Sequence, residues 1–202
     1  MMTTFFILAV VGIILLGMLM LIVNLHQFLA KTVSVSTDIL VVEGWIPDYA
    51  IKAAMEEFYA GGYKTLITIG STLPRGFYLS EYKNFAELSA ATLIALGFDP
   101  QQLVVVAVVY SQEHRTKNTA IALKEYLATS DKIPQSMNIF TLGPHGRRTW
   151  LIFRSVFPSV AVGIISAKSS SYGDKDWWKS SEGVRGVIGE LIAYLYQRLW
   201  VN

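Results

Sequence analysis

His145, Arg147 and Arg148 stand in the run GPHGRR, directly after an apolar segment (139–142) that reads as a buried strand and ahead of a stretch that reads as a helix. Two guanidiniums and an imidazole in one first turn are forked, charged donors suited to phosphate or carboxylate. A helix N-terminus adds unpaired backbone N–H groups and a partial positive charge, so this turn has the makings of an anion site. The competing reading is two solvated arginines and a histidine that merely caps the turn.

A second cationic helix start lies in the polar run 111–118, where Arg115 is followed by Thr116 and Asn118. Both of the latter are also good N-cap residues. Glu43 directly follows the apolar run 38–42, and a carboxylate there needs a partner, most simply one of these arginines. It is equally suited to act as a general base or to accept from a ligand hydroxyl. Glu81 is a second acid–base candidate or, more plainly, a residue favouring its helix N-terminus. Ser71 and Ser111 sit at strand ends but lack a recognisable partnered base. Trp45, Trp177 and Trp178 are candidates to wall a pocket against a flat ligand group, or to form an interfacial belt at a membrane.

The elements that must position these residues alternate along the chain. The apolar runs 38–42, 65–69, 103–109, 139–142 and 160–165 read as strands buried on both faces. Helices are predicted from Pro47 to Gly61-Gly62, from about Glu81 to Leu96, over 118–128, from the His-Arg-Arg turn onward, and over 181–200. The last has apolar positions at Val184, Val187, Ile188, Leu191 and Leu195 and is expected to pack on one face of the sheet. This pattern implies an α/β fold: a Rossmann-like, doubly wound, mostly parallel five-stranded sheet with helices on both faces. In such sheets ligands bind beyond the carboxyl ends of the strands, where all the polar loops above fall.

Residues 5–23, FFILAVVGIILLGMLMLIV, contain no charge. At ~1.5 Å per residue such a run crosses a hydrocarbon core of about 30 Å. The expected organisation is a transmembrane anchor with a short flank over 1–30, a linker over 31–37 and the α/β domain over 38–202. A cleaved signal ending near Ser34-Val35-Ser36 is the rival. No Lys or Arg precedes the run, and its length exceeds the usual ~7–15 apolar residues, which favours the anchor.

A formal net charge of +2 over 202 residues, with no basic stripe, gives no sign of nucleic-acid binding. With no cysteine, thiolate chemistry and disulfides are excluded. No P-loop lysine, G-x-G-x-x-G or G-x-S-x-G motif occurs, so neither nucleoside triphosphate nor NAD binding is signalled, nor a standard α/β-hydrolase, and the sequence names no cofactor. The histidines at 26, 114 and 145 lack H-E-x-x-H spacing, so no protein metal site is expected, a divalent ion held by Glu or Asp on a phosphate ligand being the alternative.

Taken in order, VVEGW before a helix starting at Pro47, the Gly70-Ser71-Thr72 turn with Glu81 beyond it, RTKNT (115–119), TLGPHGRR (141–148) and EGVRGVIGE (182–190) resemble the SanA/ElyC/YdcF family over residues 38–199. These are bacterial proteins with one Rossmann-like domain, often behind a single N-terminal anchor. The resemblance implies a crevice containing Glu43, Ser71, Glu81, Arg115, Asn118, His145 and Arg148. It implies an extracytoplasmic domain on the cytoplasmic membrane, associated with peptidoglycan, lipid-carrier or permeability-barrier steps. The chain departs from the family in the first loop, where Glu43 and Trp45 replace a glycine-rich run and narrow the pocket. The expected partner is a small anionic or lipid-linked ligand. Arg115 and the His-Arg-Arg turn would grip it, and Glu43 and Glu81 would contact its polar part or act in acid–base chemistry. A transferase or hydrolase is the natural class if it is an enzyme; a non-catalytic sensing or scaffold module is the alternative.

Overall fold

Five runs of branched aliphatic residues pair into one sheet in the computed structural model, which describes residues 2–74, 78–109, 113–129 and 133–200. The strands are β1 (Ile39–Glu43), β2 (Thr65–Ser71), β3 (Leu103–Val108), β4 (Ser136–Leu142) and β5 (Ala161–Ala167). All pairings are parallel and the order is β3-β2-β1-β4-β5. The chain therefore winds one way from β1 to β3 and crosses back to β4, leaving a switch point between β1 and β4, where α/β sheets open a crevice.

Helices cover both faces. α2 (Asp48–Gly61) and α3 (Phe85–Ala95) pack through Ile51, Ala54, Phe58 and Leu93 on one side. α4 (Arg115–Thr129) and α5 (Gly146–Val156) pack through Ala120, Leu123, Ile152 and Phe153 on the other. Each such fully buried large side chain stabilises by roughly 1.5–3 kcal/mol. α2 ends where the sequence places it, with Gly62 in the left-handed region (φ 68°) as the capping residue. α3 starts later than expected. Asn84 caps it by accepting from the Glu87 N–H, and Glu87 accepts from the Lys83 N–H, so Glu81 lies outside the helix. α4 starts earlier, at Arg115, so neither Thr116 nor Asn118 is its cap.

β3 is an edge strand, and Val105 on it is exposed, so it is not buried on both faces as the apolar run suggested. The opposite edge is covered. Val33 bridges Ile164 antiparallel, Asn138 exchanges side-chain hydrogen bonds with the Val35 backbone, and Ser136 and Thr37 tie the next residues. Residues 31–37 are thus pinned to the sheet and do not form a free linker. They run from its carboxyl edge to its amino edge.

α1 (Met2–Leu29) contains one segment, Thr4–Leu29, long and apolar enough to cross a membrane. Its last turns dock on the domain, with Leu25 and Leu29 joining Trp177, Val187, Leu191 and Tyr194 in one apolar cluster. α6 (Ser181–Trp200) contacts α1, α5 and the turn after β4, and does not lie on a sheet face. It forms a wall beyond the carboxyl ends of the strands, and that wall completes the crevice.

Candidate functional site

Glu43 is the last residue of β1, and the register that sets Val42 opposite Phe140 places it beside Thr141 of β4. Its side chain is 3% exposed. Thr141 Oγ1 donates to Glu43 Oε2 at 2.5 Å, and Thr149 Oγ1, one turn into α5, lies 3.4 Å from the same oxygen. Among the described residues no arginine bonds this carboxylate. The ion partner is His145, whose Nε2 stands 3.6 Å from Glu43 Oε2.

His145 ends a 3-10 turn, Gly143–His145, that reverses the chain into α5, and Gly143 adopts φ 46°, which favours glycine. Gly143, Pro144, His145 and Gly146 are all buried, so the start of α5 is covered and not an open backbone anion site. What the turn offers the crevice is the imidazole. Trp45 packs edge-to-face on it, with ring centroids 5.0 Å apart.

The other ring nitrogen meets Glu190, in the middle of α6. His145 Nδ1 lies 2.8 Å from Glu190 Oε1. Arg148 holds the same carboxylate in a fork, Nε to Oε2 at 2.9 Å and Nη2 to Oε1 at 3.1 Å, while its Nη1 donates to Thr116 Oγ1 at 3.3 Å. With a carboxylate beside each nitrogen the ring is an imidazolium: Nδ1 donates to Glu190, while Nε2 faces Glu43 Oε2 as an ion pair at 3.6 Å, beyond hydrogen-bond length. Burial opposes this charge, but Glu43 and then Glu190 outweigh it and raise the His145 pKa to about 9. Burial also works to raise Glu190, yet its hydrogen bond and charge interaction with His145, joined by Arg148, pull it down to about 2. Burial works to raise the Glu43 pKa, but the charge of His145 and the Thr141 hydrogen bond overcome it, so it is lowered.

Anion and cation thus alternate from Glu43 through His145 and Glu190 to Arg148. One donor remains over: His145 Nε2 is buried without a hydrogen-bond partner among the described residues. His145 lines a cavity of about 700 Å³ together with Glu43, Trp45, Ser71, Arg148 and Glu190. The α4 start contributes His114, Arg115 and Lys117 to the lining, with Arg115 exposed at the rim.

The structure therefore brings together Glu43, Ser71, Arg115, Thr116, His145 and Arg148, and leaves three predicted residues out. Arg147 turns towards α1, where its Nε donates to the Phe28 carbonyl and its guanidinium stacks 3.8 Å from the Phe28 ring centroid. Asn118 Nδ2 donates back to the Glu113 carbonyl at 3.0 Å, and Asn118 does not line the cavity. Glu81 is exposed before α3 and likewise does not line it. Arg75 and Ser111 lie outside the described residues. Trp177 is buried in the α1–α6 cluster and does not line this cavity.

Sequence reasoning missed Glu190, Thr141 and Thr149. The one available signal was a carboxylate three residues after Val187, on the side of α6 that is buried here. Among the described residues no group of three His, Asp or Glu side chains is arranged to hold a metal ion. No known family model matches the chain, and no curated protein is significantly similar to it.

Proposed function

We propose that this chain is a membrane-anchored cell-envelope protein whose α/β crevice binds an anionic, phosphate-bearing ligand. The observation that carries the reading is His145, a buried imidazolium whose Nε2 has no hydrogen-bond acceptor among the described residues, in the lining of a cavity that Arg115 and Lys117 also line. A ligand oxygen would supply the missing acceptor, and the rim cations would meet the rest of its charge. Arg148 has a different role from the one its position in sequence suggested. Glu190 neutralises its guanidinium, so it fixes the His145 ring and leaves the anion to the imidazolium and the rim.

Chemistry at this site would rest on the same proton. His145 can deliver it from Nε2 to a departing oxygen as an attacking water displaces that oxygen, and the neutral imidazole left between the Glu43 and Glu190 carboxylates then regains a proton from solvent. Ser71 lines the cavity at the end of β2 and no hydrogen bond joins it to His145 or Glu43, so it is not an activated nucleophile. The closed run of ion pairs also favours a second reading, a non-catalytic binding module. The resemblance to the SanA/ElyC/YdcF family supports an extracytoplasmic placement and an envelope precursor, such as a lipid-carrier or peptidoglycan intermediate, as ligand.

The test is a thermal-shift panel on the full chain in detergent with nucleotide-sugars, isoprenyl phosphates and nucleoside monophosphates, and S-adenosylmethionine as a non-phosphate control. A ligand at ~100 times its dissociation constant adds about 2.7 kcal/mol. The shift should be lost in the Arg115→Ala, Lys117→Ala double variant and weakened in His145→Gln. No shift with any phosphate-bearing ligand overturns the reading. Glu43→Gln separates chemistry from binding, since a catalytic role predicts lost turnover with the shift retained.

A further inference from the structure

The apolar positions of α6 read from the sequence are split, with Val187 and Leu191 turned inward and Val184, Ile188 and Leu195 exposed. Val187, Glu190, Leu191 and Tyr194 look inward, whereas Ile188, Ile192, Leu195 and Leu199 recur at i, i+4, i+7 and i+11 on the open side. Ile192 is 63% exposed and Leu199 65%. Tyr196 and Trp200 extend the stripe, their rings stacked with centroids 6.0 Å apart. A contiguous apolar face of this length on a helix needs a covering surface.

The anchor indicates which surface. α1 leaves the domain at the carboxyl edge of the sheet: it contacts the Gly143–His145 turn, and Lys31 just beyond it passes Gly146 so closely that a Cβ there would lie 3.1 Å from the Lys31 carbonyl oxygen. Beside that exit α1 packs on α6, with Phe28 edge-to-face on Tyr194 at 5.6 Å. The open stripe therefore belongs to the helix on which the long apolar α1 packs. It ends in tyrosine and tryptophan with the exposed Arg198 between them, a composition suited to the headgroup layer.

We infer that the exposed face of α6 seats on the lipid bilayer beside α1, as a second contact that holds the carboxyl edge of the sheet against the membrane. The inference rests on the anchor reading of α1. Ile192 and Tyr196 belong both to this face and to the lining of the crevice, so the seat sets the crevice wall at headgroup level. The wall then has an apolar approach from the membrane side.

The chain has no cysteine, so single cysteines placed at Leu15→Cys, Ile192→Cys, Leu199→Cys and Gln101→Cys can carry an environment-sensitive fluorophore in the full chain reconstituted into nanodiscs. Gln101 lies at the opposite, amino edge of the sheet. Labels at Ile192 and Leu199 should match Leu15, with emission shifted to shorter wavelength, loss of quenching by aqueous iodide and quenching by lipid-borne nitroxide. The Gln101 label should show the reverse. Labels on α6 that behave like Gln101 while Leu15 stays in lipid overturn the seat and leave the anchor intact. Protection from both quenchers with self-quenching between labelled copies overturns it in favour of a second copy. A Leu15 label quenched by iodide removes the anchor and the seat together.

Discussion

His145 Nδ1 and Glu190 Oε1, 45 residues apart in the chain, meet at 2.8 Å and join the turn after β4 to the middle of α6. This contact converts a loop histidine into a fixed imidazolium whose second N–H faces Glu43. It also lets Arg148 Nη2 approach to 3.0 Å from the same ring nitrogen, because the Glu190 carboxylate lies against both cations.

Glu190→Gln should therefore do more than remove one hydrogen bond. It leaves a guanidinium and an imidazolium adjacent without their shared counter-ion. Breaking a buried ion pair costs ~3–5 kcal/mol, and since the Glu190 side chain keeps 22% exposure we expect about 2–3 kcal/mol. Urea denaturation of the full chain in detergent measures it, and an unchanged midpoint would contradict the coupling.

Stability should be greatest between about pH 4.5 and 6.5. His145 titrates at about 9 in the folded chain against an ordinary 6.5, so its contribution is complete below 6.5 and is lost as pH rises through 9. Glu190 titrates at about 2 against 4.5, so its contribution is complete above 4.5 and is lost as pH falls through 2. Each displacement corresponds to on the order of 3 kcal/mol, shared between the partners and not additive. NMR titration of the His145 ring reads its end directly, and in Glu43→Gln that pKa should fall towards 6.5.

Arg147→Ala should leave ligand binding unchanged and loosen the junction between α1 and the domain. The Phe28 stacking and carbonyl contacts together contribute about 1 kcal/mol. Faster amide hydrogen exchange over residues 25–31, with the ligand-induced thermal shift preserved, is the expected result. Loss of ligand binding would return Arg147 to the site.

Gly44→Ala should destabilise the chain where β1 meets α3. A Cβ at Gly44 would lie 2.4 Å from the Phe85 carbonyl oxygen, a backbone atom that cannot swing aside. Overpacking of this kind costs about 1–3 kcal/mol, read as a lowered melting temperature by circular dichroism.

The sequence by itself determined the fold class and the apolar helix at the N-terminus. Five uninterrupted aliphatic runs separated by helical periods admit little besides a parallel α/β sheet, and a charge-free run of membrane-spanning length is a local property of composition. It also placed the polar loops at one sheet edge, so Glu43, Ser71, Arg115, Thr116, His145 and Arg148 were legible as neighbours. The tertiary structure alone decided how they pair. A guanidinium points where its long side chain finds a partner, and adjacent arginines on a helix diverge by about 100°, so Arg148 reaches Glu190 while Arg147 reaches Phe28. The orientation of α6 was beyond periodicity for a related reason. Its sequence carries apolar residues on two sides, and only the docking of α1 and the turn after β4 fixes which side is buried, which brings Glu190 inward and turns Ile192 and Leu199 out.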